Sequence, residues 1–307
     1  WGYYAAYGFG GVAVGMVYPP LIAWLNQGRN DHQPMQATTR TLIAFCVAWN
    51  FGMISGQVTG GWLFRQWGPS WPLFLSTALA GLNLAVVLLA GRAPCVPTQD
   101  ETAPPSQVLQ HRALSLSFAR LCWIANLGGA FSMSMVMHLF PQLAVALGVP
   151  PDLHGIMLAS SRAVVIATYL LMHYSRFWHY RFGPALAAQA VALMGLVTLA
   201  TAQTTAALTL GLMGLAVLLG YNYFASLYYS TSSSGDDRRG AASGLHEATL
   251  ALGFAGGAVC GGVVGRYMGN RAPYLMAAGV VILLAIVQVA VYWRRVRPHL
   301  TYQETGC

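Results

Sequence analysis

The sequence predicts an all-α polytopic membrane protein built as a doubled helical bundle, and three observations lead there. Hydrophobic residues make up 56% of the 307 positions and charged residues only 8%, whereas a soluble domain carries roughly a quarter charged residues. Too few polar groups exist to cover a water-facing surface, so the solvent must be lipid. The apolar residues also gather into runs of about 20, the length a helix needs to cross the hydrocarbon. Finally, Gly52, Gly56, Gly60, Gly61, Arg65, Gly68 and Pro72 recur as Gly253, Gly257, Gly261, Gly262, Arg266, Gly269 and Pro273, shifted by 201 residues without a gap. With 34 glycines in the chain, a glycine meets a glycine by chance at about one position in eighty. Five such matches in one short window indicate a duplicated membrane unit, the plan transporters use to build a pathway between two halves.

Nine spans are predicted, at about 2–25, 38–64, 71–91, 113–146, 154–172, 184–203, 206–230, 240–265 and 272–293. The first carries Tyr18, Pro19 and Pro20, and the prolines break helical hydrogen bonding. The second holds Asn50 and Gln57 beside its glycines. After the third comes the one real linker, 92–112, marked by Pro94, Pro97, Pro104 and Pro105 with Asp100 and Glu101. The fourth is long enough to tilt or to bend at Pro141. The fifth contains Arg162, the seventh a polar-aromatic patch from Tyr221, and the eighth Glu247 and the second glycine ladder. The expected domains are a partial first half (1–91, three helices), the linker (92–112), a six-helix second half (113–294) and a tail (295–307). Shifting the start of the fourth span back by 201 lands about 88 residues before Trp1, room for three helices. The expectation is therefore a piece of a protein of about 400 residues with two six-helix halves.

All 16 basic residues are arginines. Eleven fall in one set of alternate loops plus the tail, and only Arg65, Arg266 and Arg271 in the opposite set, which predicts a cytoplasmic linker and C-terminus in a plasma (inner) membrane. The arginines are scattered rather than clustered in a stripe, so the net charge of +8 argues against nucleic-acid binding. Of the five cysteines none forms a CxxC pair, giving disulfides and metal sites little support. Phosphate-binding glycine-lysine loops, HExxH and G-x-S-x-G are absent, so neither direct ATP drive nor an enzyme is expected, and no cofactor is implied.

These residues resemble the major facilitator superfamily. Gly8-Phe-Gly-Gly-Val-Ala-Val-Gly15 leading to Tyr18-Pro19-Pro20 is similar to that family's fourth helix. The stretch from Asn50 through Gly52, Gly56, Gly60 and Gly61 is similar to its fifth. Asp236-Asp-Arg-Arg-Gly240 through His246 and Glu247, followed by Gly253, Gly257 and Gly261, is similar to its tenth-to-eleventh loop and eleventh helix. The family's acidic, arginine-rich loop should have its second-half copy near Tyr174–Gly183, where Arg176, Arg181 and Gly183 survive and the acidic residue does not. The resemblance implies solute binding between two halves near mid-membrane, with rocking that exposes it alternately. The expected partners are a small-molecule solute, the lipid bilayer and protons, for a monomer.

Several residues invite a role. Glu247 is the sole carboxylate within a predicted span, and such a charge costs about 2.5–3.5 kcal/mol at the centre of the bilayer, so it should be paired, protonated or wetted. A proton carrier and a packing element both account for it. His246, about 100° around the helix, should share that environment only loosely. Arg162 lies too deep to snorkel and needs an anion, a carboxylate or carbonyls, with Glu247 one candidate partner; Arg120 sits near enough to the end to snorkel. Asn126, Ser134, His138 and Gln142 form a drifting polar stripe suited to a cavity wall. Tyr221 and Asn222 join the candidates, with Asn50 on the second span, while Tyr228 and Tyr229 read as interfacial anchors. The two ladders, Gly52/Gly56/Gly60 and Gly253/Gly257/Gly261, should let helices approach closely at the rocking seam between halves. A sensor or scaffold with a transporter fold and a polytopic membrane transferase are the competing readings.

Overall fold

The computed structural model describes residues 35–90, 105–233 and 239–298, with positions 9, 12, 13, 16, 17 and 20–22 of the first predicted span. The greater part of that span, the linker up to 104, residues 234–238 and the chain beyond 298 lie outside the described residues. The described chain forms α1 (Met35–Trp67), α2 (Ser70–Ala90), α3 (Pro105–Ala146), α4 (Pro151–Tyr174), α5 (Gly183–Thr201), α6 (Thr205–Ser232), α7 (Arg239–Met268) and α8 (Ala272–Val291), the last running into a π-helical turn, Tyr292–Val296. All eight are long and apolar enough to cross a membrane.

The helix ends follow local chemistry. Proline occupies the first turn of α4, α5 and α8, where a missing N–H costs nothing. Thr204 caps α6, its hydroxyl accepting from the Ala207 N–H at 3.2 Å. The repeat is also visible in the backbone. Gly68 and Gly269, one repeat apart, end α1 and α7 with φ of 90° and 87°, and each N–H bonds the carbonyl four residues back. Only glycine adopts that conformation without strain, so the repeat preserved the residue at both turns.

Two boundaries differ from expectation. α3 begins at Pro105, not near 113, so the last third of the expected linker is helix. Residues 105–112 are polar, and a search for lipid-compatible runs passes over a polar helical turn that extends beyond the hydrocarbon. At 42 residues α3 reaches about 63 Å, twice the hydrocarbon thickness. It continues through Pro141. At the other end the helix runs on through the π turn to residue 298, past the expected boundary at 294.

α3 is the centre of the expected second half, packed on α7, α6 and α8; α5 closes against α6 and α8, and α4 against α6. α1 docks on α4 and touches α6, whereas α2 touches α1 and none of its residues is buried. The α1–α4 contact joins the expected first half to the expected second. There a Cβ on Gly155 would lie 2.6 Å from the Gln57 carbonyl oxygen, so glycine lets the backbones meet.

The ladder glycines sit elsewhere, which corrects the seam assigned to them. Gly253, Gly257 and Gly261 face α3, inside the second half. A Cβ on Gly253 would come within 2.6 Å of the Leu127 carbonyl oxygen, and one on Gly257 within 2.8 Å of the Ser134 Cβ. Gly52, Gly56 and Gly60 point away from α4, and among the described residues a Cβ on any of them meets nothing within 4 Å. The physical reason is which helices touch: the second ladder is filled by α3, and the first lies on a face of α1 that no described helix covers.

Candidate functional site

The candidate residues gather into two buried polar groups. The first lies along α1 and α4. Asn50 is 2% exposed; its Nδ2 donates to the Cys46 carbonyl at 2.9 Å, and its Oδ1 has no hydrogen-bond partner. Arg162 is 6% exposed and sits close to the Tyr169 phenol, which also borders Asn50. Its Nε is buried without a hydrogen-bond partner, and no salt bridge joins it to Glu247. The internal pair considered from the sequence does not form, because α4 and α7 share no substantial contact. Gln57 Oε1, further along α1, is likewise buried and unpartnered. Toward the end of the seam, Thr39 Oγ1 and His173 Nδ1 are 2.7 Å apart.

The second group joins α3, α6 and α7 around His246, which is fully buried. Its Nδ1 is 2.8 Å from Ser226 Oγ and 3.3 Å from Asn126 Nδ2, and its ring meets Tyr223 edge-on at 5.1 Å. Its Nε2 lies 3.7 Å from Glu247 Oε1, and neither atom has a hydrogen-bond partner. The expectation that these neighbours share an environment only loosely is corrected: side chains 100° apart on a helix can still converge at their tips, because both reach several bonds outward. Glu247 remains partly open at 22% exposure. Ser243 Oγ, one turn earlier on α7, and Asn222 Nδ2 on α6 are buried and unpartnered too. Tyr221 beside Asn222 is buried.

The stripe expected on α3 does not stay on one face. Asn126 belongs to the histidine group, and Ser134 Oγ donates to the Phe254 carbonyl at 2.7 Å, beneath the glycine ladder. His138 and Gln142 are exposed. A step of four drifts about 40°, and the four such steps from Asn126 to Gln142 turn the stripe by about 160°, off its face.

Tyr228 and Tyr229 are not interfacial anchors. Both are buried in an aromatic cluster with Trp178, His179 and Tyr180 from the α4–α5 loop. The Tyr180 N–H donates to Tyr229 Oη at 2.7 Å, and His179 Nε2 meets Tyr228 Oη at 2.8 Å. Tyr180, at φ 51°, also places its hydroxyl 2.7 Å from Ser115 Oγ and 3.0 Å from His111 Nε2. Burial first, then His111 and Arg176, pushes the His179 pKa from 6.5 to about 4, so the imidazole is neutral at ordinary pH. Arg176 and Arg181, the surviving motif arginines, are exposed at this loop.

Sequence reasoning missed three polar ties. Gln189 Nε2 donates to Gln288 Oε1 at 2.6 Å, and Gln288 Nε2 to the Leu121 carbonyl at 2.6 Å, linking α5, α8 and α3. Arg271 spans the α5–α6 connection, donating to the Ala200 and Ala202 carbonyls at 2.8 and 2.7 Å. A glutamine inside a long apolar run was the available signal for the first two, because an amide buried in lipid must find a partner.

No family model matches the sequence, and no curated protein does. A search of solved structures finds the human organic anion transporter MFSD10 (TETRAN), a major facilitator transporter, with a TM-score of 0.58 and 17% identity over 84% of this chain. This chain spans 65% of that structure's length. At an identity that carries fold alone, this chain has the fold of the major facilitator superfamily, in an integral membrane protein.

Proposed function

We propose that the protein is a secondary active transporter that moves a small solute bearing an anionic group by alternating access between its halves. Arg162 carries the reading. A guanidinium keeps its charge, and one buried at the α1–α4 seam without a hydrogen bond from its Nε is poised to receive a carboxylate, sulfonate or phosphate. The structural neighbour is described as an organic anion transporter, which points to the same class of solute. Glu247, partly exposed and set against His246, is the group proposed to take up and release the coupling proton. Among the described residues no arginine pairs with it, so its protonation can respond to an arriving solute. The membrane proposed is the plasma (inner) membrane, with the C-terminal end inside.

Uptake of radiolabelled organic anions into proteoliposomes containing the complete protein tests this. Arg162→Ala should abolish uptake while leaving membrane insertion and the elution profile unchanged. Transport at the unsubstituted rate would remove Arg162 from the site. Absence of uptake or exchange for every solute class tried would favour the sensor reading instead.

A further inference from the structure

Where the end of α8 meets α3, a pocket of about 220 Å³ is lined by Ser117, Arg120, Val291, Arg294, Arg295 and Val296. Three guanidinium groups converge here, and among the described residues no carboxylate lines the space. Arg120, Arg294 and Arg295 make no hydrogen bond or ion pair with any described residue. Like charges gathered without a counter-charge repel one another, so the arrangement favours an anion from outside the fold.

The π-helical turn builds the floor. Val291 and Val296 are five residues apart, which in an α-helix would set them about 140° from one another. The i to i+5 turn of Tyr292–Val296 brings both to the pocket, with Val296 fully buried and Arg294 and Arg295 left exposed around it. One turn below, Gln288 pins α8 to the Leu121 carbonyl, immediately after Arg120, so the two sides are held in register. The site is therefore a cationic rim closed from below by Val296.

Its depth identifies the ligand. The apolar span Ala272–Val296 ends at the pocket, and exposed Trp293 lies beside it with the Arg297 guanidinium over its ring at 3.9 Å. Tryptophan and arginine in this pairing mark the headgroup level of a bilayer. We propose that the pocket holds the phosphate of an anionic phospholipid, with the arginines binding its oxygens and Val291 meeting the start of its acyl region. Occupancy would fasten α3 to α8, two helices of the half that must move as one body.

Native mass spectrometry of the complete protein, with phosphatidylglycerol, phosphatidylcholine or inorganic phosphate added separately, tests the assignment. The unsubstituted protein should bind phosphatidylglycerol roughly tenfold more tightly than phosphatidylcholine, and Arg120→Gln/Arg294→Gln/Arg295→Gln should erase that preference. Arg65→Gln/Arg266→Gln, which removes charge at the opposite ends of helices, should keep it. Should the triple variant fail to fold, Arg120→Gln alone should reduce the preference about threefold, one of three charges being lost. An unchanged preference in the pocket variants would overturn the site. Inorganic phosphate binding as tightly as the lipid would overturn the lipid as its ligand.

Discussion

Alanine at the two glycine ladders should give opposite results, although the sequence presents them as copies. In a helix interior, Gly→Ala gains about 1 kcal/mol of intrinsic propensity wherever the methyl group has room. At Gly56 the added Cβ meets no described atom within 4 Å, so Gly56→Ala should be neutral or stabilise by up to about 1 kcal/mol. At Gly253 the same methyl would sit 2.6 Å from the Leu127 carbonyl oxygen and 2.7 Å from the Ala130 Cβ. Neither neighbour is a flexible tip, so α3 and α7 must separate. Overpacking of that kind costs about 1–3 kcal/mol, and rigid neighbours place this site at the upper end. The net loss is about 2 kcal/mol and the difference between ladders about 3, more than a hundredfold in the unfolding equilibrium. Fluorescence-detected thermal unfolding in one detergent, with all six single alanine variants side by side, reads this directly. Equal losses at Gly56 and Gly253 would refute the assignment of distinct neighbours to the two faces.

Three further outcomes follow from the site and its loop. Arg162→Ala should stop uptake of anionic solutes, and Arg162→Lys should not restore it, since a point charge lacks the planar fork; restoration by lysine would show that charge alone suffices. Glu247→Gln should abolish accumulation driven by a pH gradient while sparing exchange of solute for solute, and a variant still driven by the gradient would remove Glu247 as the proton site. His179 is held neutral by burial, with His111 and Arg176 adding to the effect and Tyr228, Tyr180 and Tyr229 facing its ring. Above pH 6.5 it is neutral folded or unfolded; between 6.5 and about 4 the unfolded chain binds a proton that the folded chain refuses, so stability falls as pH falls. His179→Gln should flatten that part of a Tm-against-pH curve, and an unchanged slope would exclude this residue as its source.

The spans and the duplication could be read from the chain because both leave local marks. Lipid demands long apolar runs, and a left-handed turn demands glycine at Gly68 and again at Gly269. What each bare face packs against depends on a helix distant in sequence, so the ladders were visible and their neighbours were not. Gly155, the glycine that does lie at the seam, has no repeat partner within the chain to draw attention to it. Arg162, Glu247, Asn222 and Asn126 could be picked out because buried polar groups are costly in lipid, and all except the partly open Glu247 are buried. Their division into two groups depends on which helices touch. Tyr228 and Tyr229 show the limit clearly: a tyrosine suits a headgroup belt and a hydrogen-bonded core equally, and only the loop carrying Trp178 decides between them.

The central claim is that the halves move against each other across the α1–α4 seam. Thr39 and His173, whose side chains are 2.7 Å apart there, offer a reversible clamp. In a background free of native cysteines, Thr39→Cys/His173→Cys bridged by a short reducible bis-thiosulfonate cross-linker should stop solute exchange while linked, and recover it on reduction. Exchange that continues at full rate with the cross-link complete would contradict motion across this seam.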